Sequence, residues 1–364
     1  RKRGGKAMST TEETIRKVEE TELDGLKDLD IEDVYTHIEV LLQERPGPLD
    51  LYRRWEQQQW SASALDFSTD KEHWEGFFTP FLREQLQNIF SGFFVGEYAV
   101  TDTLSPLVAG APDEETKLFL STQVVDEARH TYFFARFFNE VIGIQGTLSE
   151  AIEYAKEWTN TGPYRQIFEG DLVAMTDAVR LDPTDYSKWI KGITIYHLMV
   201  EGILALVGQK LILRILRNLD LLPAFRAGFT AVTRDESRHV NFGVRALQQG
   251  IKDGHEQAIT ETVDLSLENC FRIYANPERK IIIPDDVPPQ VRQDPRVNWS
   301  FGIDSLTKRL RVAGVDSGYV KGVEQRAWEV VWSAIDEYEA RHGEEHPVRG
   351  WERGETQALI EASS

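Results

Sequence analysis

The chain has 364 residues, with 41 Lys and Arg against 60 Asp and Glu, for a formal net charge of −19. Such an acid excess argues against nucleic acid as a partner, since phosphate binding needs clustered Lys and Arg. The single cysteine, Cys270, excludes an internal disulfide framework and fits a reducing cytoplasm; no apolar run is long enough to span a bilayer or reads as a signal peptide.

Residues 1–30 are polar and read as a disordered tail, headed by Arg1-Lys2-Arg3-Gly4-Gly5-Lys6, with Met8 a candidate natural start. The periodicity of Ile38, Leu41 and Leu42 predicts a helix within 31–58, where Pro46-Gly47-Pro48 breaks the chain. Residues 59–78, with Trp60, Leu65, Asp66, Phe67 and Trp74, read as an extended segment anchored by aromatic side chains. Together 31–78 form an N-terminal arm ahead of a bundle over 79–276. Pro80 suits the first turn of a helix to residue 108. Gly110-Ala111-Pro112 separates it from a helix over 113–142, ended by Gly143 and Gly146. Shorter helices are expected over 148–160 and 164–180. Long ones over 184–218, 223–251 and 255–276 complete the bundle. Pro277 to Pro295, with Pro284, Pro288 and Pro289, is a connector, and helices over 303–313 and 317–342 complete a C-terminal unit over 277–364. No alternating strand pattern competes, so the fold class is all-α.

Two of these helices carry one short text: Asp126-Glu127-Ala128-Arg129-His130 and Asp235-Glu236-Ser237-Arg238-His239. A Glu and a His three residues apart lie on one helix face. An earlier helix precedes each, with a lone Glu in an apolar run: Glu97 after Phe93-Phe94-Val95-Gly96, and Glu201 after Leu198-Met199-Val200. A single Glu-x-x-His is as a rule a solvated pair. The repetition, with a Glu each time among residues that would otherwise be core, requires something to compensate the buried charge. Glu97, Glu127, His130, Glu201, Glu236 and His239 are therefore the predicted ligands of two metal ions in a helix bundle. Hard oxygen donors with one imidazole per ion suit iron or manganese, as Mn and Fe or as two Fe. A buried redox-active pair points to oxygen activation.

Over residues 58–275 the chain resembles the ribonucleotide reductase small-subunit superfamily. The resemblance rests on Trp60 and Asp66 ahead of the Glu97 helix, the two Glu-x-x-His texts, and Val200-Glu201-Gly202. It implies a ferritin-like bundle with additional helices. It also gives Asp235 the place of an aspartate that hydrogen-bonds a ligand histidine, here His130, with Trp60 nearby. Radical-storing subunits usually have Tyr four residues after the first ligand His, where this chain has Phe134; their first ligand is often Asp, where it has Glu97. A manganese/iron subgroup shares Glu and Phe at those places. Val100 stands three after Glu97, and Tyr196 five before Glu201, about 1.4 turns at the α-helical period. In a sister group, the ligand-binding oxidases, an ether cross-link joins a valine Cβ to a tyrosine oxygen at these places.

The resemblance implies manganese on Glu97, Glu127 and His130, and iron on Glu201, Glu236 and His239. It implies a long-chain fatty acid that reaches both metals from an apolar tunnel, O2 as co-substrate, and a homodimer. Phe134, Gly202 and Ala205 are expected to line the ligand pocket, although Gly202, Ala205 and Gly208 equally permit close helix packing. His197 reads as a core histidine or one behind the ligands, Arg129 and Arg238 as partners of neighbouring acids, Asp126 as solvated, and Cys270 as simply buried. The expected function is an O2-activating dinuclear oxidase. The alternative is a reductase small subunit that stores its oxidising equivalent on the metals. It would need a large-subunit partner and a flexible tail with a redox tyrosine, whereas Tyr338, the last tyrosine, lies in a helical pattern and only Trp351 follows among large aromatics. A third reading, an iron-storage or metal-binding protein, needs a shorter bundle than this chain supplies.

Overall fold

The computed structural model describes residues 10–159, 161–281 and 292–355, and among them every regular element is helical. Four helices wrap the entry side: α1 (Thr10–Glu20), α2 (Ile31–Glu44), α3 (Pro48–Gln57) and α4 (Ser68–Gly76). The middle of the chain forms α5 (Pro80–Thr103), α6 (Ser105–Ala109), α7 (Glu114–Phe137), α8 (Leu148–Trp158), α9 (Gly162–Arg165), α10 (Leu172–Leu181), α11 (Tyr186–Ile193) and α12 (Leu206–Asn218). Then come α13 (Pro223–Lys252), α14 (Glu256–Tyr274), α15 (Pro295–Ala313), α16 (Ser317–His342) and α17 (Val348–Glu352).

The expected disordered tail is corrected from residue 10 onward. α1 and a 3-10 turn over Leu23–Asp28 are ordered because Val18, Leu26 and Leu29 are buried, and Arg234 of α13 donates to the Thr21 carbonyl at 3.0 Å. Arg1 to Lys6 and Met8 lie outside the described residues. The segment 59–78 is not extended: it holds a 3-10 turn, Ala62–Ala64, and α4, whose start is fixed by the Ser68 amide donating to Asp66 at 3.0 Å. The helix expected over 303–313 starts eight residues earlier, at Pro295, since Asp294 caps α15 by accepting from the Arg296 amide and Pro295 supplies the first turn. α17 is a short helix beyond the last expected one, over 317–342. Pro284, Pro288 and Pro289 of the connector lie outside the described residues.

α5, α7, the rod α11–α12 and α13 form the four-helix core. α13 lies at its centre: every side chain from Phe225 to Val244 is buried, polar ones included. Its first amides would be orphans at a buried end. Asp70 of α4 satisfies two of them, accepting from Ala224 at 2.9 Å and Phe225 at 2.7 Å. Below the site, Phe90, Phe94, Phe133, Phe134, Phe137, Phe225 and Phe229 form one aromatic cluster with edge-to-face and tilted contacts. Burying each such side chain stabilises by about 1.5–3 kcal/mol before ordering costs.

The rod 184–218 differs from the expected single α-helix. Between α11 and α12, residues Thr194–Ala205 form a π-helix, with hydrogen bonds from i to i+5. Tyr196 and Glu201, five apart, thus lie one hydrogen-bonded turn apart on one face, rather than 1.4 turns. Shorter π segments follow α7 (Phe138–Ile142) and α9 (Gln166–Asp171).

Candidate metal centre

Four helical elements each bring carboxylates inward: α5 brings Glu97, α7 Glu127, the π segment Glu201, and α13 Glu236. α7 and α13 add His130 and His239 one turn beyond their Glu. All six side chains are at least nine-tenths buried. His130 Nδ1 lies 3.2 Å from Glu97 Oε2, 3.3 Å from Glu127 Oε2 and 3.7 Å from Glu236 Oε1. His239 Nδ1 lies 3.3 Å from Glu127 Oε1, 3.3 Å from Glu236 Oε2 and 3.5 Å from Glu201 Oε1. Two overlapping sets result: Glu97, Glu127, His130 and Glu236; and Glu127, Glu201, Glu236 and His239. Within each set one potential ligand atom per residue lies within 4.8 Å of all the others. Glu127 and Glu236 belong to both sets, so both can bridge. The sequence assigns Glu127 to one ion and Glu236 to the other, and the geometry lets each serve both.

The donor set fits cations for a physical reason. Burial pushes Glu97 up to about 7 and raises Glu201 and Glu236, so these carboxylates lack compensation from protein groups alone. Burial also acts to raise Glu127, but the closeness of His130 and the charges of both histidines outweigh it and hold Glu127 near 2. Glu127 Oε2, Glu201 Oε2, Glu236 Oε2 and His239 Nδ1 are buried without a hydrogen-bond partner. Orphaned acceptors at the meeting point of four acids are what a pair of cations would satisfy.

The outer faces of the histidines are held crosswise. Asp235 Oδ2 lies 3.1 Å from His130 Nε2, and Trp60 Nε1 donates to that same oxygen at 2.8 Å. Asp126, expected to be solvated, is instead fully buried: Oδ2 lies 3.1 Å from His239 Nε2, and Oδ1 accepts from Trp55 Nε1 at 2.9 Å. Each aspartate thus serves the histidine of the other motif. Arg238 joins the two, donating to Asp126 at 2.9 Å and Asp235 at 2.6 Å, and Arg129 pairs with both acids. With Nε2 bonded to carboxylate, each histidine turns Nδ1 toward the cluster. The repeat of Asp before Glu in both texts was the signal for Asp126; Trp55 and Gln123 left none.

Tyr196 is fully buried beside the cluster. Its hydroxyl donates to Glu127 Oε1 at 3.2 Å and lies 3.3 Å from the Val100 carbonyl oxygen. An apolar cavity of about 240 Å³ adjoins the cluster, with Glu97, Glu201, Glu236 and Val100 in its lining together with Asn88, Trp158 and Asn276. Ala205 and Gly208 line it. Gly202 and Phe134 do not. Gly202 packs on α15, where its carbonyl accepts from Ser305 Oγ at 2.5 Å, and Phe134 sits in the aromatic cluster, its ring 5.6 Å from that of Phe229. Cys270 is free and buried. No helix of the described residues is long and apolar enough to cross a membrane.

A helical bundle with two Glu-x-x-His texts and two further Glu converging on one buried point defines a protein able to hold two metal ions. The chain belongs to the family "Ribonucleotide reductase, small chain", whose pattern matches residues 40–286. Among solved structures it is similar to the R2-like ligand-binding oxidase from Sulfolobus acidocaldarius, at 23% identity over 79% of this chain and 90% of that one, with a TM-score of 0.56. It is also similar to a variant of an R2-like ligand-binding oxidase with an anaerobically reconstituted Mn/Fe cofactor, at 21% identity over 78% of this chain and 93% of that one, with a TM-score of 0.55. These likenesses establish the ferritin-like, reductase-small-chain fold.

Proposed function

We propose that the protein is an O2-activating oxidase with two metal ions, manganese and iron or two irons, and that an apolar ligand with an acidic head, of the fatty-acid class, occupies the cavity. Glu97, Glu127 and His130 would hold one ion and Glu201, Glu236 and His239 the other, with Glu127 and Glu236 able to bridge. Such a pair supplies one-electron steps that let O2 accept electrons from an unactivated bond. The protein's own part is to fix the histidine tautomers through Asp126 and Asp235 and to keep water from the cavity beside the cluster. The observation that carries the reading is the junction of the orphaned carboxylate cluster with an apolar cavity at Glu97, Glu201 and Glu236.

The same reading makes Val100 and Tyr196 partners in an ether. Closing it breaks the Val100 Cβ–H and Tyr196 O–H bonds and forms one C–O bond, and O2 takes up the two electrons and two protons. A small chain of a reductase would instead leave both residues intact and require a large subunit. Aerobic loading with Mn(II) and Fe(II), followed by elemental analysis and O2-electrode measurement, tests the function. Two ions per chain with O2 uptake are expected. Metal content unaffected by Glu127→Ala and His239→Ala would sink the ligand assignment.

A homodimer fits one exposed face. Leu118, Val125 and Tyr132 stand seven residues apart on α7 and are 42%, 49% and 50% exposed, with Ser121 and Ala128 exposed between them. An antiparallel second copy centred on Val125 would set Leu118 against the partner's Tyr132.

A further inference from the structure

The two metal positions share ligand types but not surroundings. On the Glu201/His239 side, Gln123 of α7 places Nε2 2.9 Å from Glu201 Oε1 and 3.3 Å from Glu127 Oε1. Tyr196 donates to that same Glu127 oxygen. On the Glu97/His130 side, Glu127 Oε2 has no hydrogen-bond partner and the Glu97 carboxylate is bonded to His130. Among the described residues no side-chain amide reaches those oxygens.

The amide of Gln123 is fixed in this orientation. Its Oε1 lies 3.0 Å from His197 Nε2. An amide oxygen only accepts, so His197 Nε2 carries the hydrogen and the Gln123 NH2 group is left facing the carboxylates. His197 is neutral: burial, with the neighbouring His239 charge adding, lowers it to about 3. The ring itself has no freedom. A Cβ at Gly243 of α13 would come within 2.3 Å of the His197 Cβ, and Phe242 meets the ring edge-to-face with centroids 5.4 Å apart. Contact therefore runs without a gap from α13 through His197 and Gln123 to Glu201.

A hydrogen bond donated to a carboxylate withdraws charge from it and makes it a poorer donor to a cation. We infer that Gln123, oriented by His197, makes the two metal positions unequal: the Glu97/His130 position fills first, and the Glu201/His239 position binds its ion more weakly. Gln123 is thus a positioning and selectivity residue that acts through Glu201 and Glu127, and the inference rests on the dinuclear reading above.

Anaerobic titration of the apo protein with Mn(II) alone, followed by calorimetry, tests it, with anomalous diffraction at substoichiometric metal to assign each position. Wild type should show two steps about ten- to a hundredfold apart, the usual size of such outer interactions, with the first density at Glu97/His130. Gln123→Met removes the donor. Gln123→Leu, which likewise carries neither a donor nor a charge, serves if Gln123→Met does not fold. Both should tighten the second step and narrow the separation. His197→Phe, which frees the amide, should narrow it less. Equal first filling of both positions in wild type, or an unchanged separation in the folded donor-free variant, Gln123→Met or Gln123→Leu, overturns the inference alone. Failure of wild type to bind Mn(II) overturns the metal-centre reading and the inference with it.

Discussion

Asp126 Oδ2 lies 3.1 Å from His239 Nε2, so the aspartate that opens the first motif holds the histidine that closes the second. Asp235 does the converse for His130. The exchange ties α7 to α13 and gives both histidines the same tautomer. Asp126→Asn keeps the shape and loses the charge that polarises His239. It should lower metal affinity about 10–100-fold, as strongly as Asp235→Asn, by competition with a chelator. Wild-type affinity in Asp126→Asn would reduce Asp126 to a structural group.

Aerobic metal loading should join the peptide around Val100 to that around Tyr196, with a mass lower by two hydrogen atoms. Tyr196 reaches Glu127 and the Val100 carbonyl oxygen from the π segment. Mass spectrometry of tryptic digests reads the product. It should be absent after anaerobic loading and in Tyr196→Phe. Separate, unmodified peptides in fully loaded, O2-exposed protein would favour the reductase reading.

Ala205 lines the cavity, whereas Gly202 packs on α15. Ala205→Phe should fill the cavity and abolish co-purification of an apolar acid, read by extraction and mass spectrometry. Metal content should stay at the wild-type level. An undiminished ligand load would place the ligand elsewhere.

His37 gives a stability change with pH. Burial lowers it from 6.5 to about 4, with the Arg238 and Arg234 charges adding, and its Nε2 stands 3.0 Å from Glu19. The folded chain therefore keeps His37 neutral while the unfolded chain takes up a proton below 6.5. The contribution is complete above pH 6.5 and is lost as pH falls towards 4, by about 3 kcal/mol at full extent. Denaturant unfolding of apo wild type and His37→Gln should show their stability difference shrinking over that window. A constant difference would show that His37 is protonated in the fold.

Val125→Glu places a charge at the centre of the exposed α7 stripe. Sedimentation should find wild type dimeric at micromolar concentration and the variant monomeric, with unchanged metal content. A wild-type monomer, or a dimer untouched by the change, would move the interface off this face.

The duplicated Asp-Glu-x-Arg-His text with its two lone glutamates was sufficient to place six inward side chains, because helical period fixes which residues share a face. The all-α class and most helices were legible for the same reason: apolar spacing, with Pro and Gly at the ends, is local information. Other features were settled only by tertiary contacts. Asp126 reads as solvated because an aspartate is rarely buried without a partner and its partners are distant in sequence: α3 and α13 cover it with Trp55 and Arg238. The order of residues 10–28 depends on three buried apolar side chains and on Arg234 of α13, which composition averages away. The π-helix over Thr194–Ala205 changes Tyr196 from 1.4 turns to one turn before Glu201, a backbone choice made by packing rather than by period. Gly202 and Ala205 lie three apart and read alike in sequence, but only the approach of α15 decides that one packs and the other opens on the cavity.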